Sequence, residues 1–222
     1  MLLSLAVVGG VAYLQYRRVD DARTPRSPAA PVTGLPVLNA LPDFSLTERS
    51  GRTIRLSDLK GTVWVADFIF TTCGGPCPIM TNRMRDLQET FRRLKLRGVR
   101  TVSFTVDPET DTPEILREYA TLKQADPFDW YFLTGSEREI HDLSIKGFLL
   151  TAAEGDGSHA VEHSPRFALV DRQGRLRATY EVVSDEEVFG LPRAEVIDKP
   201  MSEQTKRKLI ADIRSLLNEH NR

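Results

Sequence analysis

The apolar residues of this chain fall into two alternating patterns. From Thr62 to Phe70 they form a short, nearly continuous run of β-branched and aromatic residues, which predicts a strand buried on both faces of a sheet. Further on, Ile79, Met80, Met84, Leu87, Phe91 and Leu94 recur at helical spacing, with charged residues between them and Gly98 as the stop. Val99 to Val106 reads as a second apolar strand. A turn follows, then a helix capped by Asp111 or Thr112, whose inner face is Ile115, Leu116, Tyr119 and Leu122. Trp130 to Leu133 is a short strand and Glu137 to Ile145 a helix. Two hairpins are expected, one around Arg49-Ser50-Gly51 and one joining Arg166–Asp171 to Leu176–Val183. Ser202 to Asn218 closes the chain as a helix with Leu209, Ile213, Leu216 and Leu217 inward. Ser184 to Pro200 shows no regular pattern, and no internal repeat is present.

Strands alternating with helices and ending in a hairpin and a helix predict an α/β fold: a central mixed sheet with helices on both faces. Three regions follow from composition. Residues 1–18 open with an uncharged apolar stretch, Met1 to Tyr16, near the lower limit for a bilayer span; it reads as an uncleaved membrane anchor, with a signal segment as the alternative. Arg17 and Arg18 follow that stretch and no basic residue precedes it, which the positive-inside rule would read as the opposite orientation. Residues 19–42 are rich in Pro, Ala, Ser and Thr and read as a semi-extended tether. Residues 43–222 form the domain, long enough for one full core.

Lysine and arginine (30) nearly balance aspartate and glutamate (31), for a formal charge of -1. That balance offers no basic stripe for nucleic acid, and no nucleic-acid partner is expected.

The chain has two cysteines, Cys73 and Cys77, in the turn Cys73-Gly74-Gly75-Pro76-Cys77-Pro78 between the first long strand and its helix. Such a pair can close into a disulfide or hold a soft metal ion; the plain alternative is two buried cysteines packing as small hydrophobes. Cys77 falls at the helix start with Pro78 in the first turn, where the helix dipole should lower a thiol's pKa. Gly74 and Gly75 are expected to give the loop backbone angles that other residues resist. A structural zinc site is disfavoured, because four ligands are not at hand. A dithiol at a strand-to-helix turn suggests a thioredoxin-like fold.

His163 lies just before the Arg166 strand. If that strand neighbours the cysteine-bearing one, the imidazole hangs at the same end as both thiols, and two thiolates with one imidazole form a soft site suited to copper. The other reading is a loop histidine without a partner. His159, four residues earlier, is a fallback ligand. Asp107 could orient His163 but reads first as a turn former, Met80 and Met84 as core residues, and His141 and His220 as surface residues on helices.

At these motifs the chain resembles the SCO/SenC family of thioredoxin-fold, membrane-tethered copper proteins, over about Leu41 to Leu217. Cys73-x-x-x-Cys77-Pro78 matches the family's signature after a hydrophobic strand. Val106-Asp107-Pro108-Glu109-x-Asp111-Thr112-Pro113 matches a second segment, and Val161-Glu162-His163-Ser164 with Leu169-Val170-Asp171 a third. The resemblance implies copper, as Cu(I) or Cu(II), held by Cys73, Cys77 and His163. It implies a metallochaperone that helps assemble the binuclear copper centre of cytochrome c oxidase. Its partners would be the oxidase subunit bearing that centre or another copper protein, a copper donor protein, and the bacterial cytoplasmic membrane, with the domain facing the periplasm or cell exterior. The alternative is a membrane-tethered thiol-disulfide oxidoreductase that reduces a copper protein's cysteines. Two departures lean that way. Gly74 stands where many members have proline, so the loop looks like a thioredoxin Cys-Gly-Pro-Cys with one glycine added. Pro165 lies where thioredoxins carry a cis-proline, so a cis Ser164-Pro165 bond is one reading and a trans, strand-entry proline the other.

Overall fold

A computed structural model describes residues 34–150 and 165–219 of the chain. The expected membrane segment, His159, His163, His220 and the Ser164-Pro165 bond lie outside the described residues. No helix among the described residues is long and apolar enough to cross a membrane.

The strands are β1 (Asn39–Ala40), β2 (Ser45–Glu48), β3 (Thr53–Arg55), β4 (Val63–Ile69), β5 (Val99–Thr105), β6 (Trp130–Thr134), β7 (Arg166–Val170) and β8 (Arg175–Glu181). The helices are α1 (Leu56–Leu59), α2 (Cys77–Arg93), α3 (Pro113–Leu122), α4 (Glu137–Asp142), which runs into a π-turn, α5 (Arg193–Val196) and α6 (Glu203–Asn218). All eight strands join one mixed sheet in the order β1-β8-β7-β4-β5-β6-β2-β3. β4, β5 and β6 run parallel at its centre, and β7 lies antiparallel to β4 with Ala66 opposite Ala168.

Alternation along β4 divides the core. Val63, Val65 and Ile69 face a cluster built with α2, α3 and α6, whereas Trp64 and Ala66 face a second cluster built with α1, α4 and the β2–β3 hairpin. Both faces of the sheet are therefore covered, as the continuous apolar run of β4 requires.

Four local expectations differ from the structure. The stretch from Gly34 to Pro42 is not all tether: β1 pairs with β8, Leu38 N–H donates to the Leu176 carbonyl (2.8 Å) and Leu41 is buried. In α3, Leu116 and Tyr119 point inward, but Ile115 and Leu122 are exposed; the helix is short and touches the sheet along a narrow stripe. Thr112 caps α3, while Asp111 is drawn inward for another purpose. Ser184 to Pro200 is organised, with a π-turn at Glu186–Gly190 followed by α5.

Candidate metal centre

β4 and β5 are parallel, so the loops that follow them leave the same end of the sheet, and β7, antiparallel to β4, begins there. The cysteine loop (70–76), the β5–α3 turn and the start of β7 thus converge. Val106 N–H donates to the Ile69 carbonyl (2.8 Å), which fixes the first two of these at their root.

Both cysteines are buried, and no disulfide joins them. Cys73 N–H donates to the Phe70 carbonyl (3.2 Å), and Gly75 N–H donates to Cys73 Sγ (3.3 Å). Hydrogen bonding with the neighbouring Cys73 sulfur, together with burial, pushes the Cys77 thiol well up from its ordinary value. This reverses the expectation drawn from the helix start: the dipole acts at Cys77, but giving up the proton would break a hydrogen bond and leave two sulfur charges side by side in a dry site.

Neither Gly74 nor Gly75 has a positive φ. A Cβ on Gly74 would meet nothing within 4 Å, and one on Gly75 would stand 3.8 Å from Cys73 Sγ. Neither glycine relieves the backbone, and the missing side chain of Gly75 leaves space beside the Cys73 sulfur.

The loop is clamped from three sides. Asp111 accepts from Thr71 N–H (3.1 Å) and from the Thr71 hydroxyl (2.5 Å), and also from the Thr105 hydroxyl (2.5 Å). Arg193 Nη1 donates to the Gly74 carbonyl (2.7 Å) from α5, a segment without legible pattern in the sequence. Behind Cys77, the Thr81 hydroxyl donates to the Cys77 carbonyl (2.9 Å) and lies 2.9 Å from the Tyr119 hydroxyl.

Asp67 was not singled out in the sequence, although it is the one charge inside the β4 apolar run. It is 1% exposed, on the cysteine-bearing face of β4, and neither carboxylate oxygen meets a hydrogen-bond partner. Burial raises its pKa to about 7; Ser103, opposite it in the β4–β5 register, opposes that shift without reaching hydrogen-bonding geometry. The charge of Asp67 in turn contributes to the upward shifts of Cys77 and Tyr119.

Among the other candidates, Asp107 accepts from Thr110 N–H (3.3 Å), the bond of a turn former, and Met80 and Met84 are core residues. His141 is exposed on α4. Among the described residues, no three His, Cys, Asp or Glu side chains gather into a metal cluster. Two cysteines are brought together; the third expected ligand, His163, lies outside the described residues, three positions before the start of β7.

A family model described as SCO1/SenC matches residues 36–190. The chain belongs to the SCO1/SenC family. It is 38% identical over 143 residues to the SCO1 protein homolog of Bacillus subtilis, covering 64% of this chain and 74% of that one. It is 33% identical over 150 residues to a putative copper-binding protein of Stutzerimonas stutzeri, covering 64% and 70%. Among solved structures, a SCO1/SenC family lipoprotein from Bacillus anthracis superposes with a TM-score of 0.66 at 32% identity, over 82% of this chain and 97% of that one. BsSco, described as a Sco family cytochrome c oxidase assembly protein with a disulfide switch, gives 0.64 at 31% identity, over the same shares. The SCO1/SenC model ends at residue 190, so the Arg193 latch lies beyond the part of the chain it covers.

Proposed function

We propose that this protein is a copper metallochaperone that binds copper through Cys73, Cys77 and His163 and delivers it to the binuclear copper centre of cytochrome c oxidase. The observation that carries this reading is a reduced, sulfur-only pair on a clamped loop at the end of the sheet where β7 also begins. Thiolate sulfur selects Cu(I), and an imidazole serves copper in either oxidation state. A relative named for copper binding and a solved relative described as an oxidase assembly protein support it. The described domain is read as tethered to the bacterial cytoplasmic membrane and facing the periplasm or cell exterior. A lipoprotein of the same family supports a tether.

A second reading is reduction of a partner's cysteines by the same pair. It is favoured by two free, buried sulfurs close enough for Cys73 to raise the Cys77 thiol, the proximity that disulfide exchange needs.

One titration separates the two. The chain from Gly34 onward, which keeps β1 on the sheet, is reduced and titrated with copper. Stoichiometric binding that His163→Ala and Cys77→Ser each weaken severely is the expected result. Unchanged binding in His163→Ala, or no binding with rapid disulfide reduction, favours the reductase.

A further inference from the structure

The near-zero net charge conceals a segregation along the strand axis. Thr90 to Arg100 carries five cations, Arg92, Arg93, Lys95, Arg97 and Arg100, and no acid. Four of them are exposed and Arg100 is half-buried, its guanidinium 5.4 Å from the centroid of the Tyr131 ring. This run joins the end of α2 to the start of β5, so it lies at the end of the sheet opposite the cysteine loop. Nearby acids offset it only in part: Asp126 reaches Arg92 at 3.9 Å, and Asp129 shares the same shallow cleft. Around the cysteine end the charges are mixed: Glu109, Asp185 and Glu186 stand there, but Glu114 pairs with Arg117, Glu187 with Arg83 and Lys199, and Arg193 sits on the Gly74 carbonyl.

The N-terminal segment joins the domain at this same basic end. A Cβ on Gly34 would stand 3.0 Å from Glu219 Oε1, and two residues before Glu219, Leu217 packs 3.9 Å from the Cβ position of Gly98, inside the basic run. Between Arg18 and Gly34 lie fifteen residues, a stretch that can span at most about 50 Å when fully extended. Such a leash is attached at the basic end but is long enough to leave the domain's orientation to its surface.

We propose that the Arg92–Arg100 run is a docking surface for an anionic lipid bilayer, which seats the domain basic end down and presents the cysteine pair to the side away from the membrane. The proposal rests on the membrane-tether reading and adds an orientation to it. Exposed cations are attracted to anionic headgroups within a Debye length of the surface, whereas acids and bases are mixed at the cysteine end, so the basic end is the one drawn to the bilayer.

The test uses the full chain in nanodiscs containing gadolinium-labelled lipid, with amide relaxation read along the domain. In phosphatidylglycerol discs, amides from Leu94 to Gly98 should relax strongly and those of Gly74 and Gly75 weakly. The contrast should vanish in phosphatidylcholine discs, on raising salt from about 0.1 M to about 0.5 M, and in the variant Arg93→Glu, Lys95→Glu, Arg97→Glu. A contrast that survives in neutral discs or in the variant, or that favours the cysteine end, overturns the proposal. A chain that fails to enter discs refutes the tether instead. Pelleting with phosphatidylglycerol vesicles then decides: binding that the triple variant weakens about a hundredfold retains the surface, and no binding overturns it. Preference for an oligonucleotide over those vesicles also overturns it.

Discussion

Thr71, two residues before the first cysteine, is held at both its amide and its hydroxyl by Asp111, forty residues further along the chain. The same carboxylate accepts from Thr105 at the end of β5, so a fully buried charge is satisfied entirely by hydroxyl and amide donors. This bond network, more than the cysteine loop's own sequence, sets where Cys73 stands relative to the sheet.

Replacing Asp111 should therefore disturb the site from a distance. Asp111→Ala removes the acceptor and leaves the two threonine hydroxyls and one amide without it, a loss of about 3 kcal/mol. Thr71→Val removes a single charge-assisted bond and should cost about 1.5 kcal/mol. Urea unfolding measures both. Copper affinity should fall further in Asp111→Ala than in a core variant of equal instability; equal affinities would mean that the clamp does not position the cysteines.

Asp67 makes stability fall with rising pH. Its pKa moves from 3.8 to about 7 on folding. The folded state therefore binds the proton more tightly, and stability, complete at low pH, declines as pH rises from about 4 through about 7. Relative to Asp67→Asn, which cannot ionise, the wild type should lose up to about 4 kcal/mol across that window. Parallel slopes for the two proteins between pH 4 and pH 8 would show that Asp67 titrates normally.

Gly74 should tolerate a side chain. With no positive φ and open space where a Cβ would sit, Gly74→Ala should change stability by no more than about 0.5 kcal/mol. Thiol alkylation of the reduced protein should be unchanged by Gly74→Ala and slowed by Gly75→Ala, whose Cβ would stand 3.8 Å from Cys73 Sγ. A large stability loss would restore the backbone-freedom reading.

The layout of the fold was legible because each signal is local. The β4 run and the α2 periodicity depend only on neighbours along the chain, and those elements agree closely, although α2 stops at Arg93, with Lys95 at positive φ, five residues before the expected Gly98 stop. The cysteine pair was legible for the same reason. What escaped depends on contacts distant in sequence. Asp111 read as a helix cap because capping is a local rule, yet Thr112 took that role once Thr71 and Thr105 claimed the carboxylate. Ser184 to Pro200 looked formless because its order comes from α2: Asn82 Nδ2 donates to the Ile197 carbonyl (2.8 Å), and Arg83 reaches the Val182 and Lys199 carbonyls. Asp67 could have been noticed, since one carboxylate amid eight other residues of a buried strand run contradicts its surroundings.

The Arg83–Glu187 pair shows what holds that segment against the cysteine helix. Arg83 is 2% exposed, and its guanidinium meets Glu187 through two bonds of 2.8 and 3.0 Å, with Lys199 3.3 Å from the same carboxylate. The bond to Arg83 holds the Glu187 pKa at about 2, below the ordinary 4.5. A lowered carboxylate pKa contributes stability above the unfolded value and loses it as pH falls from about 4.5 toward about 2. Glu187→Gln should cost about 2 kcal/mol at pH 7, because Arg83 stays buried beside a neutral partner, and almost nothing at pH 2. Hydrogen exchange should rise from Ser184 to Lys199 first, and with the segment loosened the Arg193 latch on Gly74 should open, so that Cys73 is alkylated faster than in the wild type. Exchange that rises uniformly across the domain, with alkylation unchanged, would mean that the pair supports the whole fold and not this strap.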